Sequence, residues 1–317
     1  MASSASVGAG KLIVCAGMSV IDHVYRLAAF PAPGTKTRAE DFFSVLGGCA
    51  ANAAIAIGRL GGRARVISPL GGPPGRDLTG DNVLAKLQYE DIDVAHVVRV
   101  DGAATSRSSI LIHGEGERTI ISYRDPKLDN ARPRDPESAI VGADAVLIDN
   151  RFPEFVLPVA RAAAAAGEIV VLDGDRPSRM TDELLSVSTH VVFSAEGLRL
   201  TAGTDDLAAG LSAVAERTEA FLAVTHGSEN MLWLDRGAVR RMPAFQIEAV
   251  DTLGAGDVFH GAFALALAEG RDIPSAMRFA AATAAIKCSR IGGGAATPYR
   301  DEVERLLADS PVNQSFT

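Results

Sequence analysis

The sequence predicts an α/β protein built on a mostly parallel sheet with helices on both faces. Three observations predict it. Strand-like and helix-like patterns alternate from residue 143 onward, which is how successive βαβ units read. Residues 11–16 form an apolar run closed by Gly17, as a fully buried first strand does. The length of 317 residues, with 47% hydrophobic and 22% charged side chains, suits one large domain with a smaller appendage.

In chain order, the strand at 11–16 is followed by Asp22 in the loop behind it. Residues 30–37, with Pro31, Pro33 and Gly34, make a turn-rich connection that leads outside the main sheet. Gly47-Gly48 opens an Ala- and Ile-rich helix over 50–60, and Gly61-Gly62 stops it. A short strand over 65–69 and an amphipathic helix over 77–88 come next. The stretch 97–123 changes character. Strand-like runs at 108–112 and 118–123 flank 113–117, whose Gly114 and Gly116 make a hairpin turn. Further strands are expected at 145–149, 169–173, 190–193 and 222–225, with a helix over 155–166 and other helical segments between them. Asp22, Asn150, Arg151, Asp173, Asp175 and Thr225 all fall just behind such strands, where parallel sheets bind their ligands.

The net charge of −8 argues against a general nucleic-acid partner, which needs a basic face. No run of about 18 apolar residues occurs, so no membrane span is expected. Residues 1–10 are small and polar, without the regions of a secretory signal; they and 310–317 are expected to be flexible tails. Cys15, Cys49 and Cys288 lack paired metal-ligand spacing and read as buried side chains in a reducing cytoplasm.

Chemistry concentrates at Asp251-Thr252-Leu253-Gly254-Ala255-Gly256-Asp257. Small residues lead straight into an Ala-rich helix over 261–269. An anion can approach the unpaired N–H groups of such a helix start, and the helix dipole favours it there. Asp257 then stands beside that anion. A phosphate cradle with an adjacent carboxylate is the minimum equipment for moving a phosphoryl group onto a hydroxyl. A tight turn capped by an aspartate is the plainer reading of the same residues. A dinucleotide fingerprint would need glycine where Phe259 stands. Gly8-Ala9-Gly10-Lys11 is no Walker loop, because Leu12 replaces the hydroxyl and the run precedes the first strand.

On these residues the chain resembles the PfkB, or ribokinase-like, family of carbohydrate kinases, over about residues 11–303. Asp251 to Asp257 matches the C-terminal signature, and Gly47-Gly48-Cys49-Ala50-Ala51-Asn52 the N-terminal one. The resemblance implies a ribokinase-like three-layer α/β/α sandwich with a central mostly parallel sheet and a small β-sheet lid. It implies a single kinase domain over 11–305, lid segments at about 23–46 and 97–124, and a homodimer through the lid. Within the family the chain looks closest to the ketohexokinase and sulfofructose kinase branch, through Asp257-Val258-Phe259-His260-Gly261, Ala284-Ala285-Ile286-Lys287-Cys288 and Asp149-Asn150-Arg151. The implied reaction carries the γ-phosphoryl group of ATP to a primary hydroxyl of a ketohexose, fructose or 6-deoxy-6-sulfofructose. Ribose or a nucleoside is the alternative acceptor. A non-catalytic sugar or nucleotide sensor is the alternative of another class.

The resemblance assigns roles residue by residue. Asp257 matches the catalytic base, with Gly254, Ala255 and Gly256 holding the phosphate oxygens. Asp22, Gly47, Gly48 and Asn52 match the sugar contacts, and Arg151 a substrate-side arginine whose plain alternative is an ion pair with a neighbour such as Asp149. Thr225, Gly227 and Ser228 match a nucleotide-groove element, with Asn230 where a second glycine is usual. Ala285 and Cys288 match the helix beside the adenine. The family's Asn-x-x-Glu magnesium element is incomplete here, leaving Glu196 as the candidate for Mg2+. A monovalent cation, K+, is implied on loop carbonyls near Asp251 and Arg290. Cys49 stands where several relatives carry lysine. His226 and His260 read as ordinary polar residues.

Overall fold

The structure is a computed structural model and describes residues 10–113 and 117–310. The first half of the chain contains β1 (Leu12–Ala16), β2 (Val20–Leu27), β3 (Asp41–Gly47), α1 (Cys49–Arg59), β4 (Arg63–Ile67), β5 (Pro69–Gly72), α2 (Leu78–Tyr89), β6 (Val98–Asp101), β7 (Arg107–His113), β8 (Glu117–Tyr123), α3 (Pro136–Ala139), β9 (Ala145–Asp149) and α4 (Pro153–Ala165). The second half contains β10 (Ile169–Gly174), α5 (Thr181–Val187), β11 (His190–Ser194), α6 (Ala195–Ala202), α7 (Leu207–Ala215), β12 (Phe221–Thr225), β13 (Met231–Asp235), β14 (Ala238–Met242), α8 (Ala255–Ala268), α9 (Ile273–Cys288) and α10 (Arg300–Asp309).

Eight strands form the central sheet in the order β14-β13-β12-β11-β10-β9-β1-β4. The six from β12 to β4 run parallel, and β13 and β14 extend the edge antiparallel. Side-chain alternation sends successive residues to opposite faces. Ile13, Cys15, Leu147, Val171, Val192 and Ala223 pack toward α1, α8 and α9. Val14, Ala16, Val146, Val170, Val191 and Leu222 pack toward α4, α6 and α7. Both faces are therefore dry, which is why these strands read as continuous apolar runs.

A second sheet of four strands, β3-β2-β7-β8, forms the lid. Asp22 belongs to it: β2 begins at Val20, so the residue lies in a strand and not in the expected loop. The cause is the short turn Gly17–Ser19, which sends the chain directly from β1 into the lid. Val98–Asp101 joins Pro69–Gly72 in a separate two-stranded sheet instead of the lid. The hairpin turn expected at Gly114 and Gly116 lies outside the described residues, as do the tails expected at 1–10 and 310–317 apart from Gly10 and Ser310. Among the described residues no helix is long and apolar enough to cross a membrane.

Candidate active site

The carboxyl ends of β1, β9 and β10 open at the point where β1 has β4 on one side and β9 on the other, the switch point of the sheet. Two helices on one face begin there. The loop from Asp251 turns into α8 at Gly254, whose φ of +75° is a left-handed conformation that side chains resist. The first turn of a helix leaves its N–H groups without intrahelical acceptors. At α8 these include the N–H groups of Gly256 and Asp257, at the positive end of the helix dipole.

The other helix, α1, starts at Cys49 directly after Gly48. A Cβ on Gly261 would stand 2.6 Å from the Ala53 carbonyl oxygen, so α1 and α8 approach closely because none is present. That approach brings Asn52 Nδ2 to 2.7 Å from Asp257 Oδ2, to which it donates a hydrogen bond. Asn52 Oδ1 is buried and has no partner. From the lid, the Asp22 carboxylate lies against Gly47 and accepts the hydroxyl of Ser108, its register partner on β7. Burial, opposed by that hydroxyl and reinforced by the Asp257 charge, pushes Asp22 up to about 6.

Behind Asp257 lies a set of acidic groups. Asp149, at the end of β9, accepts the N–H groups of Met18 at 2.6 Å and Arg151 at 2.9 Å; burial nonetheless raises it to about 6. The Arg151 guanidinium pairs with Asp175, while its buried Nε has no partner. Cys49 Sγ and carboxylate oxygens of Asp173 and Asp257 lie within 4.8 Å of one another. Burial and the charges of Asp257, Asp149 and Asp173 push the Cys49 thiol well up, against Arg151, so it stays neutral. A neutral thiol among these groups is a poor fit for magnesium, which takes oxygen ligands.

His260, one turn into α8, sits 2.7 Å from the Gly256 carbonyl through Nδ1 and 3.0 Å from the Val192 carbonyl through Nε2. Both contacts are to acceptor oxygens, so the surroundings favour the form in which each ring nitrogen donates. Burial alone opposes that charge, but Asp173, 3.6 Å away, and the two carbonyls outweigh it and raise the pKa.

A model of the pfkB family carbohydrate kinases matches residues 11–300. The chain belongs to this family. It is a carbohydrate kinase, a phosphotransferase with an alcohol group as acceptor, on the ribokinase-like fold. Fructokinase-1 of Zea mays is 28% identical over 323 residues, covering 94% of this chain and 98% of the relative. A crystal structure from Agrobacterium tumefaciens, provisionally named a ribokinase, is 34% identical with a TM-score of 0.90, covering 95% of this chain and 98% of that one. The ribokinase of Arabidopsis thaliana, solved with ribose and ATP, is 25% identical with a TM-score of 0.81, covering 96% and 100%. These similarities support a sugar kinase without placing the chain in the ketohexokinase or sulfofructose kinase branch.

Against that family frame, Asp22, Gly47, Asn52, Gly254 and Asp257 meet in one place, and Arg151 joins them through its charged neighbours. Asn52 does so differently from expectation, because its amide is bonded to Asp257. Thr225 closes β12, and Gly227 and Ser228 are exposed in the turn after it. Buried Ala285 and half-buried Cys288 are on α9, and the Cys288 carbonyl accepts the N–H groups of Val250 and Asp251. Glu196 is exposed, paired with Arg176 at 3.3 Å, and belongs to no cluster of three or more potential metal ligands among the described residues.

Four participants escaped the sequence reading. Ser108 and Arg118, whose guanidinium donates to Thr252 Oγ1, are lid residues with no local signature. His260 had one available signal, its position four residues after Gly256 on the same helical face. Lys287 had another, as the one charge after Arg278 in the Ala-rich remainder of α9.

Proposed function

We propose that the chain is an ATP-dependent kinase of a neutral furanose sugar, transferring the γ-phosphoryl group to a primary hydroxyl. A ketohexose such as fructose is the first acceptor to consider and ribose the second, the two sugars represented among the relatives. The observation that carries this reading is a pair of orphaned buried polar atoms: Oδ1 of Asn52, whose amide nitrogen bonds Asp257, and Nε of Arg151, whose guanidinium pairs with Asp175. Leaving such groups unpaired costs roughly 1–3 kcal/mol each, so a ligand rich in hydroxyls that satisfies both is favoured.

In this reading Asp257 takes the proton of the attacking hydroxyl, and Asn52 orients it through the bond to Oδ2. The turn Gly254, Ala255 and Gly256 provides the anion cradle for the transferring phosphate through the free N–H groups of Gly256 and Asp257, the Ala255 N–H being taken by the Thr252 carbonyl at 3.3 Å. Asp22, with Gly47 and Gly48, grips the sugar hydroxyls. Thr225, Gly227, Ser228, Ala285 and Cys288 line the nucleotide side. Magnesium, arriving on the ATP phosphates, would supply charge neutralisation there; Glu196, an exposed carboxylate held by Arg176, is the one protein oxygen proposed for it.

Charge separates the two ketohexose candidates. Asp149, Asp173 and Asp175 surround one arginine, Asp175 already holds it, and Asp22 and Asp257 add further acidic groups to the site. A sulfonate tail would meet repulsion there, which favours fructose over 6-deoxy-6-sulfofructose. The reading also includes a homodimer through the lid, supported by exposed Phe42, Ile120, Ile121 and Tyr123; a monomeric mass in sedimentation would exclude it.

The test is coupled ADP release over ribose, fructose, 6-deoxy-6-sulfofructose and a nucleoside. Turnover with ribose or fructose and none with the sulfonated sugar is the expected result. Preference for the sulfonated sugar would overturn the charge argument, and preference for a nucleoside would overturn the furanose reading.

A further inference from the structure

Lys287, in the last turn of α9, has no exposed surface, the one lysine or arginine buried in this way among the described residues. An ammonium withdrawn from water is tolerated only where fixed oxygens replace its hydration. Both come from Asp251: its carbonyl oxygen accepts from Nζ at 2.7 Å, and its Oδ2 lies 3.6 Å away. The Asp251 carboxylate is itself held by the N–H groups of Leu253 at 2.8 Å, Gly292 at 3.0 Å and Gly293 at 3.2 Å. The Asp251 N–H closes the knot by donating to the Cys288 carbonyl at 3.0 Å. Burial works against the Asp251 charge, but Lys287 and those N–H groups hold its carboxyl below the usual range.

The knot ties three segments together. One is the end of α9. Another is the loop that enters α8 at Gly254. The third is the stretch 292–294, whose Gly294 lies directly against Asn52 and beside Gly254. The position of the phosphate cradle and of the residue that orients Asp257 therefore depends on one buried cation.

The family resemblance implies a free monovalent cation on loop carbonyls beside Asp251 and Arg290. The residues present do not fit one at the Asp251 oxygens. The ammonium already occupies that carbonyl and balances that carboxylate, and a second cation on the same oxygens would face a full positive charge. We infer that Lys287 is a tethered internal cation that fixes the cradle loop in place of a soluble monovalent ion. Its catalytic consequence rests on the cradle reading given above. Occupancy of the Asp251 oxygens does not.

The experiment measures melting temperature and sugar-dependent ADP release at constant ionic strength in tetramethylammonium, sodium, potassium and ammonium chlorides. The wild-type protein should vary by no more than about twofold in turnover, with an unchanged melting temperature. Potassium stimulation of about tenfold or more, or a potassium-dependent rise in melting temperature, would overturn the inference. In Lys287→Ala, turnover in tetramethylammonium should fall by at least about tenfold, and ammonium or potassium should recover it together with thermal stability. Lys287→Met fills the same space without charge and should fall without recovery. A Lys287→Ala variant as active as wild type in every salt would also overturn the inference. If that variant does not fold, the wild-type salt series still decides. Absence of turnover with every sugar in every salt would count against the proposed function, while the melting series would still judge Lys287.

Discussion

Asp22, Asp149 and Asp173 hold their protons to about 6, 6 and 7, chiefly because burial disfavours their charge. For Asp22 the consequence can be isolated. Its folded pKa lies above the unfolded value, so between the two the folded chain binds a proton the unfolded chain has lost. The resulting stabilisation is complete below about pH 4 and is lost as pH rises through about 6. Asp22→Asn keeps an acceptor for Ser108 and cannot ionise. Near pH 8 the sugar-free variant should therefore be more stable than wild type by roughly 1–3 kcal/mol, and near pH 4 the difference should close. Urea denaturation at the two pH values checks this. A difference that does not change with pH would show that Asp22 is not held protonated by the fold. The same variant should raise the sugar KM, because a polar site loses affinity when one of its partners is altered.

Positioning is the work of helix contacts. Asn52 and Asp257 come from helices far apart in sequence, and their 2.7 Å bond exists because α1 and α8 pack without a side chain at Gly261. A methyl group there meets backbone, which cannot rotate away. Gly261→Ala should cost about 1–3 kcal/mol of stability. It should also lower kcat by as much as about 100-fold, since small misplacements of reacting groups are expensive. Denaturation midpoints and turnover, measured on the same preparation, test both expectations. Normal stability with normal kcat would mean that this close approach does not position the pair.

Much of this architecture was legible from local pattern. The strand at Ala145–Asp149 was read to the residue, and the hairpin strands and α1 to within two residues, because turn residues and alternation bracket them. The strand character of Asp22 was not legible, since β2 carries Asp22, His23, Tyr25 and Arg26 and lacks a clean apolar run. Nor was the pairing of β5 with β6, which α2 separates in the chain. In the candidate site, the two signatures pointed to Asp257, Asn52 and the helix start at Gly254, which the structure brings together. The bond between Asn52 and Asp257, the two carbonyls against His260 and the buried Lys287 depend on which helices touch. A single polar residue in an Ala-rich helix carries no periodic signal of its partner.

Across the molecule, the dry two-faced sheet fixes where helices begin, and two of those beginnings carry the residues of the proposed chemistry. In the proposed reading the carboxylates of Asp173 and Asp257 face the sugar, and the free N–H groups of the first turn of α8 face the phosphate. This separation of charge is what a transfer from a nucleotide anion to a neutral polyol requires.

The decisive measurement is single-site: turnover and nucleotide affinity of Asp257→Asn, determined side by side with wild type on the best sugar acceptor. A loss of about 100-fold or more in kcat with ATP affinity retained is the predicted result, because the variant keeps the cradle and loses the proton acceptor. Near-normal kcat in that variant would contradict the account, since phosphoryl transfer would then be proceeding without the carboxylate on which the whole site is built.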